Sequence, residues 1–360
     1  MIVFVYGTSA EAIKVAPLAR LLSSRGIEYQ QWLTMQHGRS LVQLSNDLGF
    51  TGLVVEVPNG NDGEALKNIG SAVKWLGAVM WWFFRHRRRL GRSVGKDSLF
   101  VVHGDTLTTV VGAIFARILG VPSAHIEAGL RSGDWRNPFP EELDRIITGR
   151  LASIHYVPSE EAMSNLGGRN NVVFTQGNTV IDAVHNSTIA KSQKVSNYGV
   201  CLLHRFELLS NPEFVKETLE RIARTSPVKV RLILDKFSSG VILEMLTEEI
   251  RAVIHPEPKL SHAKFIELLR AADFVVTDSG GIQEECAEIG VPTLIHRKAT
   301  ERFDGIGENV KLSNWVLDDV EKFMSSFGAL RRPPKKPIIS PSQIIFEDLE
   351  ARGFIRGPVV

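Results

Sequence analysis

LFVVHGDTLTTVVGAIFARILGVPSAHIEAGLRSGDWRNPFPEELDRIITGR, residues 99–150, is the stretch whose reading decides the fold. Its opening run, Leu99–Val102, is continuously apolar, the pattern of a strand buried on both faces, and it breaks abruptly into His103, Gly104 and Asp105. About a dozen residues of helical pattern follow. A second apolar strand, Pro122–Ile126, then ends in Glu127, Ala128, Gly129, Leu130 and Arg131. Glu141 and Glu142 follow Pro138 and Pro140 at the start of another helix. Strand, helix, strand implies a parallel sheet, and such sheets hold ligands beyond the carboxyl ends of their strands. Each piece also has a plain structural reading: a strand-end Asp caps a helix, and Pro-Glu-Glu suits the dipole of a first turn. Acids on successive strand-end loops nevertheless repel one another unless something offsets them. Asp105, Glu127, Glu141 and Arg131 therefore predict one charged rim on one sheet.

Outward from there, 360 residues suffice for two domains and exceed one ordinary core. A net charge of +2 and a hydrophobic fraction of 44% indicate a globular chain with no global pull towards nucleic acid. Cys201 and Cys286 are the two cysteines, without redox or metal-ligand spacing, so they read as packing residues of a reducing compartment and no metal is predicted. No basic segment precedes the first strand, so no signal peptide is expected and the reading is cytoplasmic. MIVFVYGTSAEAIKVAPLARLLSSRG is a strand, a Gly-Thr turn and a helix, a unit that offers backbone N–H groups to an anion, with Lys14 within reach of a phosphate. A strand at Tyr29–Leu33 leads into Met35-Gln36-His37.

Ser71–Leu90, SAVKWLGAVMWWFFRHRRRL, has an uninterrupted apolar run of ten residues from Trp75 to Phe84, too short to span a bilayer. One reading is a core helix of the first domain with a solvated basic end. The other is a helix that dips Trp81, Trp82, Phe83 and Phe84 into a membrane interface while Arg85, Arg87, Arg88 and Arg89 meet anionic headgroups, a peripheral contact at the inner membrane face.

The alternation continues with strands at His155–Pro158, Val172–Thr175, from Gly199, Pro227–Leu234, Ala252–His255, Phe274–Thr277 and Val291–His296, and a last helix at Pro341–Arg352. Arg331–Lys336 reads as a solvated linker. This predicts an α/β chain of two Rossmann-like, doubly wound domains facing a cleft: 1–178 with the acids, 179–338, and a C-terminal helix and tail, 339–360, packing back on the first. Between a strand and a helix, Asp278-Ser279-Gly280-Gly281 lets a phosphate approach backbone N–H groups. Glu284 and Glu285 in that helix suit a ribose diol, and Arg302 can close over a diphosphate.

The segments GTSAEAIKVAPL, MQH, HGDTLTT, HIEAGLRSGDWRNPFPEELDR, GNTVIDAV, HRFE, DSGGIQEE and TERFDG give the chain, over nearly its whole length, a resemblance to the non-hydrolysing UDP-N-acetylglucosamine 2-epimerases. The resemblance implies a GT-B-like pair of domains and a likeness in chemistry: inversion at C2 of a UDP-sugar by elimination and re-addition of UDP, with no cofactor. It implies catalytic roles for Asp105, Glu127, Glu141 and His204. It places Lys14, Arg131, Phe265, Ser279, Gly280, Gly281, Glu285 and Arg302 around the nucleotide sugar, and implies a homodimer. Ser9 stands where the family has arginine, and Phe206 and Asp235 also depart from its pattern. Two alternatives share the UDP-sugar site: a glycosyltransferase with a lipid-linked acceptor, and a hydrolysing epimerase.

Overall fold

The apolar runs become strands with little or no exposure: β1 (Ile2–Tyr6), β2 (Tyr29–Leu33), β3 (Leu53–Glu56), β4 (Leu99–His103), β5 (Ser123–Ile126), β6 (Ile154–Val157) and β7 (Val172–Phe174), of which only the edge strands β3 and β7 are open to water. In the computed structural model of the chain, residues 1–61, 63–64, 66, 69–134, 139–186, 197–300, 302–335 and 339–355 are described. Pro138 of the predicted helix start and Lys336 of the predicted linker lie outside them. The chain divides into two compact units, one of Met1–Ala183 with Ile338–Val360 and one of Val184–Pro337.

In the first unit the sheet is parallel, in the order β3-β2-β1-β4-β5-β6-β7, with Ile2 beside both Tyr29 and Leu99. The order reverses between β1 and β4, which makes Gly7 and Gly104–Asp105 the switch-point loops. Thr8 and Thr106 cap the helices that follow, Ser9–Ser24 and Leu107–Leu119, each accepting a hydrogen bond from the third helical amide, and Gly120 at φ 70° ends the second. One sheet face is covered by Ser9–Ser24 and by the last helix, Pro341–Ala351, through Ala12, Leu18, Ile345, Phe346 and Leu349. That last helix is anchored by its Ser342 amide, which donates to Asp182 at 2.7 Å, and by Tyr156, which donates to Asp348 at 2.8 Å. Asp182 thereby ties residues 179–183 to the first unit, and the division falls at Ala183–Val184 rather than after residue 178.

The opposite face is covered by Leu107–Leu119 and by a helix longer than its sequence suggested, Ile69–Val94. Here the two readings of the aromatic segment are each half corrected. Phe83 is fully buried, stacked on Phe115 at 3.9 Å, and Trp75 donates its indole N–H to the Thr34 carbonyl at 2.8 Å. Trp82 is half-buried, edge-on to Trp32. Trp81 is 69% exposed and Phe84 46% exposed, because helical rotation carries them away from the sheet. Among the described residues no helix is long and apolar enough to cross a membrane.

The second unit repeats the plan with β8 (Tyr198–Leu202), β9 (Lys229–Leu234), β10 (Ile254–Pro258), β11 (Val275–Thr277), β12 (Thr293–Ile295) and β13 (Val310–Leu312), parallel in the order β10-β9-β8-β11-β12-β13. The strand read at Ala252 starts two residues later, because Thr247 caps the short helix Glu248–Arg251 and the Ala252 amide still donates to Glu248. The switch point lies between β8 and β11, so His204 and Asp278 share a rim. Both cysteines are buried, and burial pushes their thiols up, out of the reactive range.

Candidate active site

The Gly-Thr turn after β1 does not hold its N–H groups open for an external anion. Glu11, one turn into the helix and 2% exposed, takes them itself: the amides of Gly7 and Thr8 donate to one carboxylate oxygen at 3.0 and 2.8 Å, while Thr106 donates to the other at 2.7 Å. Burial pushes the Glu11 carboxyl up, and these hydrogen bonds pull it back down. Gly7 is required by crowding, since a Cβ there would meet the Thr108 and Thr34 hydroxyls at 2.2 and 2.3 Å.

Lys14, on the next turn, points at Glu127. Its ammonium lies 2.5 Å from the carboxylate, and both side chains are nearly dry. Asn178 donates to the same oxygen, and His103 Nε2 is 3.5 Å away. Glu127 itself sits at φ 65°, a left-handed backbone uncommon for a residue other than glycine. Nearby, His125 donates its Nε2–H to the Gly104 carbonyl at 2.7 Å, and burial lowers its pKa to about 4, so its ring is neutral.

Asp105 meets Arg145 at 2.5 Å, and Arg145 reaches Glu142 at 3.2 Å; Arg131 lies 3.8 Å from the other Glu142 oxygen. A buried guanidinium of this kind holds carboxylates by its fixed donor fork. Asp105 keeps 22% of its side chain exposed. Glu141 begins the helix Glu141–Leu151, and one turn on, Asp144 is 3% exposed. Burial pushes the Asp144 carboxyl from 3.8 to about 8, and the negative charges of Asp105, Glu141 and Glu11 add to the push. The first rim thus contains Asp105, Glu127, Glu141, Glu142, Lys14 and Arg131, together with Arg145, Asn178, Asp144 and Glu11, which the sequence reading did not single out. Arg145 and Asp144 lay inside a quoted motif, PEELDR, and Asn178 inside GNTVIDAV.

In the second unit Asp278, 1% exposed, accepts the backbone amides of His204 and Arg205 at 3.0 and 2.9 Å, which fixes the loop after β8. The His204 ring is left 36% exposed, with Nε2 4.0 Å from Asp278. Ser279 caps the helix Gly280–Ile289. A Cβ on Gly280 would meet Arg302 at 2.9 Å and the buried Arg297 at 3.8 Å, so two guanidinium groups adjoin this loop. A Cβ on Gly281 would meet the Ser279 hydroxyl at 3.9 Å, an ordinary contact. Glu284 and Glu285 of the helix are directed to side chains rather than to the loop: Glu284 pairs with Arg302, and Glu285 meets His262 Nε2 at 2.8 Å. Phe265, half-buried, lies on the same helix as His262. Arg297 and His262 carried no motif signal. Among the described residues no group of three His, Cys, Asp or Glu side chains is arranged to hold a metal ion.

Two doubly wound α/β units, one with carboxylates at its switch point and one with a glycine loop flanked by arginines, define the class of two-domain nucleotide-sugar enzymes. A sequence family described as UDP-N-acetylglucosamine 2-epimerase matches residues 94–324. The Escherichia coli K12 UDP-N-acetylglucosamine 2-epimerase is 31% identical over 330 residues, 84% of this chain and 83% of that protein. The UDP-GlcNAc 2-epimerase of Methanocaldococcus jannaschii, solved with UDP-GlcNAc and UDP, shares the fold at a TM-score of 0.80 and 24% identity, covering 97% of this chain and 99% of that one. The Neisseria meningitidis enzyme bound to UDP-GlcNAc superposes at 0.79 with 24% identity, over 97% of this chain and 99% of its own. This chain belongs to the UDP-N-acetylglucosamine 2-epimerase family and is an isomerase of the GT-B-like fold.

Proposed function

We propose that the chain interconverts UDP-N-acetylglucosamine and UDP-N-acetylmannosamine by elimination and re-addition of UDP, with Asp105, Glu127, Glu141 and His204 as its catalytic residues. In the forward half, a carboxylate takes the C2 proton, the C1–C2 double bond forms, and the C1–oxygen bond to UDP breaks with its electron pair leaving on the diphosphate. In the return half UDP re-adds at C1 and a proton reaches C2 on the opposite face. Inversion needs proton carriers on both sides of the ring, which a cluster of acids supplies. The observation that carries the reading is Asp105 at the sheet's switch point and Glu127 at the end of the neighbouring strand, each against its own cation, Arg145 and Lys14. Asp105 is the acid open to a sugar, whereas Glu127 is held dry by Lys14 and Asn178.

UDP is read onto the second rim. The amides of Ser279, Gly280 and Gly281 and the guanidinium of Arg302 meet its diphosphate, Glu285 its ribose and Phe265 its uracil, and His204 steadies the departing charge. Arg131 and Lys14 complete the polar surround of the sugar. The acting form is read as a homodimer in the cytoplasm, in peripheral contact with the inner face of the membrane; light scattering at micromolar concentration tests the dimer.

The experiment is incubation with UDP-N-acetylglucosamine in D2O, following C2 inversion and deuterium at C2. Release of UDP with no inverted sugar would refute it. Gly281→Asp puts a carboxylate into the phosphate loop where its Cβ makes only an ordinary contact with the Ser279 hydroxyl, so the protein should stay folded and lose UDP binding by calorimetry. Unchanged affinity would remove UDP from this loop.

A further inference from the structure

The outer face of the helix Ile69–Val94 takes no part in the chemistry above, yet it is built in a definite way. At about 100° per residue, Val73, Gly77, Trp81, Phe84 and Arg88 point away from Trp75, Val79, Phe83 and Leu90, which face the sheet. Ile69, Val73 and Trp81 are 80%, 66% and 69% exposed. Lys74, Arg85, Arg87, Arg88, Arg89 and Arg92 are exposed as well, and the 26 residues of the helix contain no acid. Resting on the membrane placement proposed above, we infer that this face docks on an anionic lipid bilayer, with Val73, Trp81 and Phe84 at the acyl boundary and the arginines among acidic headgroups.

Charge and apolarity together select that occupant. A second copy meeting this face across a two-fold axis would present the same patch, and the patch offers its arginines no carboxylate from the helix. A nucleic acid would satisfy the arginines and leave Val73 and Trp81 in water. A bilayer surface satisfies both halves.

The inference also fixes an orientation. Trp75 bonds the carbonyl of Thr34, just past the carboxyl end of β2, whereas Ser93 lies 3.4 Å from the Gln30 side chain near the start of that strand. The helix therefore runs antiparallel to the strands, with its apolar end at the rim of Asp105 and Glu127 and its basic end at the opposite edge. A helix lying in the plane of the membrane puts these strands in that plane too. The rim then opens sideways to water, and a soluble nucleotide sugar can enter while the enzyme stays on the surface.

Flotation with vesicles of phosphatidylcholine alone, or of phosphatidylcholine mixed with the anionic lipid phosphatidylglycerol, tests this with the full chain. The protein should float with the acidic vesicles, release as salt rises, and show blue-shifted tryptophan emission that is lost in Trp81→Ser. Arg85→Glu with Arg88→Glu and Arg92→Glu should weaken binding about 100-fold or more, at about fivefold per arginine contact removed. Turnover of soluble UDP-sugar should persist in every variant, because none of these residues belongs to the rim. Equal flotation with neutral vesicles would overturn the anionic assignment. No flotation at all would overturn the membrane placement, and a dimer dissociated by Trp81→Ser would assign the face to a second copy. All three outcomes leave the epimerase reading to its own test.

Discussion

Asp144→Asn removes one buried proton and changes nothing else in shape. The native carboxyl is pushed to about 8, against an ordinary 3.8, mainly by burial and then by Asp105, Glu141 and Glu11. The folded protein therefore keeps the proton between those two values while the unfolded chain has released it. Stability from this group is complete below about pH 4 and is lost as pH rises, at about 1.4 kcal/mol per pH unit, until the folded carboxyl ionises near pH 8. The accumulated loss is of order 5 kcal/mol, comparable with the whole stability of many domains. Asparagine fills the same volume and does not titrate. Urea denaturation of both proteins at pH 4.5, 5.5, 6.5 and 7.5 should show the asparagine variant gaining about 1.4 kcal/mol on the wild type at each step. The same subtraction cancels Glu11, His125 and His155, which titrate alike in both proteins. A difference that stays flat from pH 4.5 to 7.5 would show that Asp144 is ionised in the fold and refute the reasoning.

Lys14→Met leaves Glu127 charged in a dry site, so urea denaturation should show a loss of about 3 kcal/mol or more and UDP-sugar turnover should fall. Phe83→Ala should cost about 3–5 kcal/mol through the lost stack on Phe115, while Trp81→Ser stays within about 0.5 kcal/mol; equal thermal shifts would contradict the helix orientation. The ring resonances of His125 should not titrate between pH 8 and 5, because its pKa is held near 4.

Much of this was legible before any coordinates. Strands such as IVFVY and LFVVH announce themselves because strands buried on both faces of a parallel sheet read as near-continuous apolar runs. The strand-end acids were legible because acids on successive strand-end loops repel one another unless something offsets them. What could not be read was pairing. Nothing along the chain says that Lys14 belongs to Glu127, 113 positions away, or that His262 answers Glu285. The Gly-Thr turn misled for a related reason: its amides look free in sequence, and only the capping geometry returns Glu11 onto them. The aromatic helix misled through its composition, since a run of ten apolar residues hides which of them rotate towards the sheet.

The helix Pro341–Ala351 closes the face of the first unit with residues made after all of the second. The first unit therefore cannot finish folding on the ribosome when its first 183 residues emerge; Ala12, Leu18 and Leu22 wait uncovered while 154 further residues are synthesised, and the second unit, contiguous in the chain, can mature first. Any nascent chain stalled before residue 341 would present that apolar face to chaperones, which makes the last helix the step that commits the molecule to its native state.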